Sequence, residues 1–321
     1  MTRIAAVVGV GTVITLFTTA TISASGASCP TQRVRQSIPR TAWGDPDLQG
    51  VWSAAESIGV PLDRPAELGT RNLLTEEEFR ARLARFVEGA SPDNIEATNF
   101  GIEPDVTRMT SHQASLVVDP ADGRRPPRTA AAEARQPVRS SFSPGPFASV
   151  LDLGIYDRCI AVGTVPAAQP VNGIEIVQAP GYVGIRTEVI HDARVIPLDG
   201  RPHVGGAITS HAGDSRGRWE GNTLIVETTN LNGLTNLTGN GGERPTVQTK
   251  VTERYTLVNR DALWYEATLD DPGTWTRPWT MAFPRNRDPG YRLYEYACHE
   301  GNYSAANMLR ASRAAETGPF K

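Results

Sequence analysis

The sequence predicts a mainly β protein, an antiparallel sheet closed into a barrel or folded as two packed sheets. Two observations carry this. In the second half, IEIVQAP, YVGIRTEVI, NTLIVETTN, TVQTKVTERYTLV and ALWYEATLDD alternate apolar with polar residues and are rich in β-branched and aromatic side chains, the period-2 pattern of half-buried strands. Between them stand Pro180-Gly181, Asp199-Gly200, Glu220-Gly221-Asn222 and Asn259-Arg260-Asp261, residues that suit tight turns between antiparallel neighbours. A sheet of this length has to cover its edges, and closure into a barrel or a sandwich does so.

In chain order, residues 1–27 read as a secretory signal: Arg3 supplies positive charge, residues 4–20 an apolar run, and residues 22–27 a small-residue tract suited to cleavage. The mature protein is therefore expected in the periplasm or outside the cell. Lipid anchoring through Cys29 is the lesser expectation, because Gly26 stands where a lipoprotein signal has Leu. The rest, 28–321, reads as one β-rich domain: a first strand, a helix and a peripheral excursion over 41–145, the main sheet over 146–303, and a closing helix over 304–315. At Gly50-Val51-Trp52 the chain has the Gly-x-Trp form that opens lipocalin-type barrels, so a lipocalin-like barrel with one or two peripheral helices is the expected form. Thr75 with Glu78 forms a capping box, and Phe79, Leu83, Phe86 and Val87 follow at helical spacing, predicting a helix that ends near Gly89. Residues 91–143 turn polar and rich in Ala, Pro and Arg, with one short strand signal at Val117 and Val118; they are expected to pack over the surface.

The 321 residues carry a formal charge of −3 with no basic block, which argues against nucleic acid as a partner. No later apolar run is long enough to span a membrane. The expected partner is a small organic substrate or ligand. Of the three cysteines, Cys159 and Cys298 fall in the main domain; in an oxidising compartment they pair, tying an early strand to the last one, or else stand as two buried thiols.

WGDPDLQGVW, IHDARVIPLDGRPH, GDSRGRWEGNTLIVETTN, TWTRPWT and YEYACHEGNY together resemble a large family of exported bacterial proteins without an assigned reaction. The resemblance spans roughly residues 41–309. Its motif positions here are Arg158, Cys159, Glu188, His191, Asp192, Arg194, Arg201, His203, Asp214, Trp219, Glu220, Cys298, His299, Glu300 and Asn302. The resemblance implies a shared fold and site geometry. At His211 this chain has a histidine where an apolar or aromatic residue is expected.

Four of the five histidines lie between His191 and His299, each near a carboxylate. Glu188, His191 and Asp192 fall at a bend between two strand signals, so imidazole and carboxylates can meet at one end of the barrel, His191 moving a proton and its neighbours fixing its tautomer. His299 and Glu300 are the second catalytic candidates, on or just after the last strand. Arg158, Arg194, Arg201, His203, Asp214 and Trp275 are expected to hold substrate, the arginines binding carboxylate or enolate oxygen. The alternative is structural: histidines bonded at strand ends, Trp275 and Trp279 in the core. No nucleotide or flavin motif occurs, and no organic cofactor is expected. A divalent ion held by His191, His203 and His299 with a carboxylate is the competing chemistry, but no His-x-His or i, i+4 pair marks a ligand set. Ser215 lacks the Gly-x-Ser-x-Gly setting of a hydrolase nucleophile. The functional expectation is a cofactor-independent hydrolase, lyase or isomerase; a carrier of an apolar or aromatic compound is the rival.

Overall fold

In the computed structural model, residues 38–89, 106–135, 145–161, 173–234, 237 and 243–316 are described. The signal segment and Cys29 lie outside them. The described elements are strands β1 (Gly50–Ser53), β2 (Val117–Asp119), β3 (Ile174–Ala179), β4 (Tyr182–Thr187), β5 (Ala193–Pro197), β6 (Asp214–Glu220), β7 (Thr223–Thr229), β8 (Lys250–Asn259), β9 (Ala262–Asp270) and β10 (Trp279–Arg287), and helices α1 (Glu76–Gly89), α2 (Ala130–Glu133) and α3 (Tyr303–Glu316).

The strands form a nearly closed antiparallel barrel, in the order β5-β4-β3-β1-β10-β9-β8-β7-β6. Each of β8 and β9 buries every second residue, as the alternation predicts: Val251, Glu253, Tyr255 and Leu257 face inward on β8, Leu263, Tyr265, Ala267 and Leu269 on β9. Trp52, at the end of the Gly-x-Trp motif, is fully buried and donates its indole N–H to the Leu48 carbonyl at 2.8 Å. β1 pairs with β3 on one side and with β10 on the other, so the first strand joins the start of the sheet to its end.

Nine strands on this path meet in eight antiparallel ladders. An odd strand count with alternating direction leaves the two end strands running the same way, and these are β5 and β6. Parallel neighbours cannot be joined by a tight hairpin, and the connection here is the crossover of residues 198–213. Asp199-Gly200, expected as a hairpin turn, lies in this crossover instead. No ladder joins β5 to β6; side chains close the seam. A Cβ added at Gly217 on β6 would lie 2.6 Å from Leu198 Cδ2 and 2.9 Å from Ile196 Cγ2, so glycine is what lets these residues pack against the β6 backbone.

The excursion does more than cover the surface. β2 pairs with β10 at Thr280 and Met281, beyond the reach of β1, and Leu116 and Val117 enter the main core. α1 carries the expected capping box: the Glu78 N–H donates to Thr75 Oγ1 at 3.3 Å and the Thr75 N–H to Glu78 Oε2 at 2.8 Å. Phe79 stacks on His112 at 4.2 Å, whereas Val87 stays exposed. Cys159 and Cys298 form a disulfide with a Cα–Cα distance of 5.7 Å. The bridge is as expected, but neither end is in a strand: Cys159 closes a turn at φ 57, and Cys298 lies in the turn that precedes α3.

Candidate functional site

The barrel interior is filled by side chains. Trp52, Tyr255, Tyr265, Phe283 and Arg285 are fully buried. Arg194, expected to hold substrate at a barrel mouth, instead crosses the interior from β5 to Glu253 on β8. Its Nη2 donates to Glu253 Oε1 at 3.0 Å, and its Nη1 donates to Oε2. Tyr255 and Tyr265 donate their hydroxyls to the same Oε1 at 2.7 and 3.0 Å. Burial alone would raise the Glu253 carboxyl, but the Arg194 charge and these hydrogen bonds outweigh it and hold the group below its ordinary value. Arg285 lies over the Tyr265 and Phe283 rings, 5.7 and 5.2 Å from their centroids, and burial lowers its pKa to about 10. Trp275, also a substrate-binding candidate, is buried edge-on against Trp279 at 5.4 Å.

The expected bend between β4 and β5 is present. Thr187 donates its N–H to the Asp192 carbonyl at 2.8 Å, and the turn between them places Ile190 at φ 60. The His191 backbone closes this turn, while its side chain lies outside what the structure describes. Glu188 accepts a hydrogen bond from the Tyr291 hydroxyl. Tyr291 belongs to the chain leaving β10, where the Asp288 N–H donates to the Val51 carbonyl at 3.0 Å and Arg108 pairs with Asp288 at 3.1 Å. Between this segment and β1, β3 and β4 is a cleft of about 470 Å³, lined among others by Val51, Glu175, Arg186, Arg287, Tyr291 and Arg292. Burial first, and then the Glu188 carboxylate, push the Tyr291 hydroxyl up to about 12, so it remains protonated at neutral pH. Arg287 sits 4.4 Å over the Trp52 ring and donates through Nε to the Arg260 carbonyl at 2.9 Å and through Nη1 to the Gln49 carbonyl. It passes so close to Gly50 (φ +127) that a Cβ there would lie 2.5 Å from Nη1.

Two further expected residues meet elsewhere. His203, in the crossover, places Nδ1 2.8 Å from Asp214 Oδ2 and Nε2 3.5 Å from Glu227 Oε1, and Lys250 pairs with Glu227. Asp214 also accepts from Arg216 at 3.0 Å. Burial would raise the Asp214 carboxyl, but His203, the Val204 N–H and Arg216 hold it below its ordinary value. The cluster ties the crossover to β6 and β7. Arg201 is exposed and pairs with Asp199 at 2.6 Å. His299 and Glu300 lie well past β10, in the turn holding Cys298; His299 Nε2 is 3.5 Å from the Cys159 carbonyl, and Glu300 is exposed. Arg158 is half-buried beside Cys159, and its Nε has no hydrogen-bond partner among the described residues. Among the described residues, no group of three or more His, Cys, Asp or Glu is placed to hold a metal ion.

Sequence reasoning missed Glu253, Arg186, Arg287, Tyr291 and Arg292. For Glu253 a signal existed: in VTERYTLV it shares the parity of Val251, Tyr255 and Leu257, an acid on an otherwise apolar face. Tyr291 and Arg292 lie in a stretch without period, where no pattern marks a role. Comparison with protein-family models, with curated proteins and with solved structures found no match.

Proposed function

We propose that the protein is an exported enzyme acting by proton transfer on a small organic molecule in the cleft beside the β4–β5 bend. The observation that carries this reading is the Tyr291–Glu188 hydrogen bond at a cleft of about 470 Å³, a size suited to a small ligand. As a substrate proton moves to Tyr291 Oη, the tyrosine proton moves to Glu188, and the pair returns it to the product; neither residue needs a cofactor for this. His191 and Asp192, on the same bend, complete the proposed acid–base set. Isomerisation uses the relay as written; in elimination the returned proton goes to the leaving group, and in hydrolysis or cyclisation the proton comes from the attacking water or internal nucleophile and passes to the leaving group or the acceptor atom. The Cys159–Cys298 disulfide supports an oxidising compartment, in keeping with the signal-like N-terminus and the resemblance to exported proteins. A carrier holding an apolar compound inside the barrel is less well supported, because Trp52, Tyr255, Tyr265 and Phe283 occupy that space.

The test is an NMR screen of the purified mature protein for turnover of small esters, lactones, hydroxy acids and enolisable acids. Tyr291→Phe and Glu188→Gln are each expected to lower turnover about 100-fold or more without shifting the melting temperature by more than a few degrees. Turnover that survives both substitutions overturns the proposal.

A further inference from the structure

Resting on that reading of the cleft, we infer that its substrate is a small organic carboxylate whose anionic group docks between Arg292 and Arg287. The inference comes from which charges at the cleft are already engaged. Glu175 and Arg186 neutralise each other at 2.8 Å. Asp288 is taken by Arg108, which approaches from outside the lining, at 3.1 Å. Asp47 and Asp261 both attract the Arg287 charge, but neither hydrogen-bonds to it, and Asp261, 3.9 Å away, is largely exposed, a distance and setting at which attraction is weak. Two of the three Arg287 guanidinium nitrogens donate to backbone carbonyls, and Nη2 has no acceptor among the described residues. Arg292 is exposed and makes no hydrogen bond or ion pair among the described residues. Both carboxylates in the lining therefore have partners, while two guanidinium groups have none of comparable strength.

The chemistry of those groups narrows the ligand. A guanidinium presents a planar fork of N–H donors that matches the two oxygens of a carboxylate. Arg287 is held still, by the Trp52 ring on one side and backbone carbonyls on the other, so its free edge is already oriented. Val51, Pro289 and Leu293 provide an apolar wall for a short carbon skeleton. Tyr291 lines the same cleft, which places a proton-transfer group within the space where the skeleton of a bound acid would lie.

The experiment is calorimetric titration of the full mature chain with benzoate and hexanoate, with the matched amides benzamide and hexanamide, and with phenyl phosphate. Saturable binding of the carboxylates at low salt is expected, at least tenfold tighter than the amides and weakened by added salt. Arg292→Ala is expected to weaken carboxylate binding at least tenfold, and Arg292→Lys to recover only part of it. Amides that bind as tightly as the acids, carboxylate affinity unchanged in Arg292→Ala, or a preference for phenyl phosphate overturns the inference. The turnover screen applied to Tyr291→Phe separates this failure from failure of the cleft reading. Absent carboxylate binding with turnover of another substrate still lost in Tyr291→Phe removes only the ligand class, whereas turnover untouched in that variant removes the site as well.

Discussion

Glu253→Gln tests the buried ion pair at the centre of the barrel. Glu253 is fully buried and accepts both arms of the Arg194 guanidinium together with two tyrosine hydroxyls. The substitution keeps an oxygen acceptor for the tyrosines but leaves the Arg194 charge inside the barrel without its counterion. Breaking a buried pair from one side costs about 3–5 kcal/mol. At about 2–4 °C per kcal/mol for a chain of this size, the melting temperature should fall by about 6–20 °C. Arg194 lies on β5, an end strand with no ladder to β6, and its partner is on β8. The pair therefore also holds the seam closed from within. The double variant Arg194→Met/Glu253→Gln removes both charges and should recover at least half of the loss, because desolvation of the two ions is no longer needed. Urea denaturation of the wild type, both single variants and the double variant completes the cycle. A single-variant cost below about 1 kcal/mol, or a double variant worse than either single, would refute the reasoning.

Three further outcomes follow from particular contacts. Gly217→Ala should cost about 1–3 kcal/mol by overpacking the seam against Leu198 and Ile196, and hydrogen exchange should show the added mobility confined to β5, β6 and the crossover; uniform change across the barrel would contradict this. Cys159→Ser/Cys298→Ser frees a sequence separation of 139 residues, for which the chain-entropy relation gives about 5 kcal/mol as an upper figure; urea denaturation should show a loss of about 2–5 kcal/mol, and no loss would show that the bridge does not constrain the fold. Burial acts to raise the Asp271 carboxyl, but hydrogen bonds from Thr246, Thr249 and Thr274 hold it below its ordinary value. Its stabilisation is therefore complete above the unfolded carboxylate range and is lost as pH falls through the lower folded value, so Asp271→Asn should flatten the fall in melting temperature on acidification, and an unchanged acid limb would argue against it.

Much of the fold was legible because its code is local. Alternation in β8 and β9, the turns at Gly181 and Gly221, the capping box at Thr75 and the closing helix each depend on residues within a few positions of one another, and each is where the pattern placed it. The seam was not legible, since strand parity follows from how many strands close the barrel and in which order. β2 was visible as a strand, but its place on β10 depends on where β1 stops pairing. The site was legible in part. The bend and Glu188 follow from strand signals that stop at Thr187 and resume at Ala193, whereas Tyr291 reaches Glu188 across more than a hundred residues of chain, and nothing near it in sequence marks that contact. Arg194 shows the same limit. Its motif suggested a binding role, yet its parity on β5 already pointed it inward with Ile196.

The odd strand count also determines what could be added to this barrel. A hairpin inserted at the seam would bring two strands and leave the parity unchanged, so a mismatched junction between like-directed strands would persist. One extra strand between β5 and β6, running opposite to both, would give ten strands and an antiparallel ladder at every junction. The crossover of residues 198–213 already spans from one strand to the other, which makes it the one connection between main-sheet strands where a designer could write that tenth strand without rerouting a hairpin.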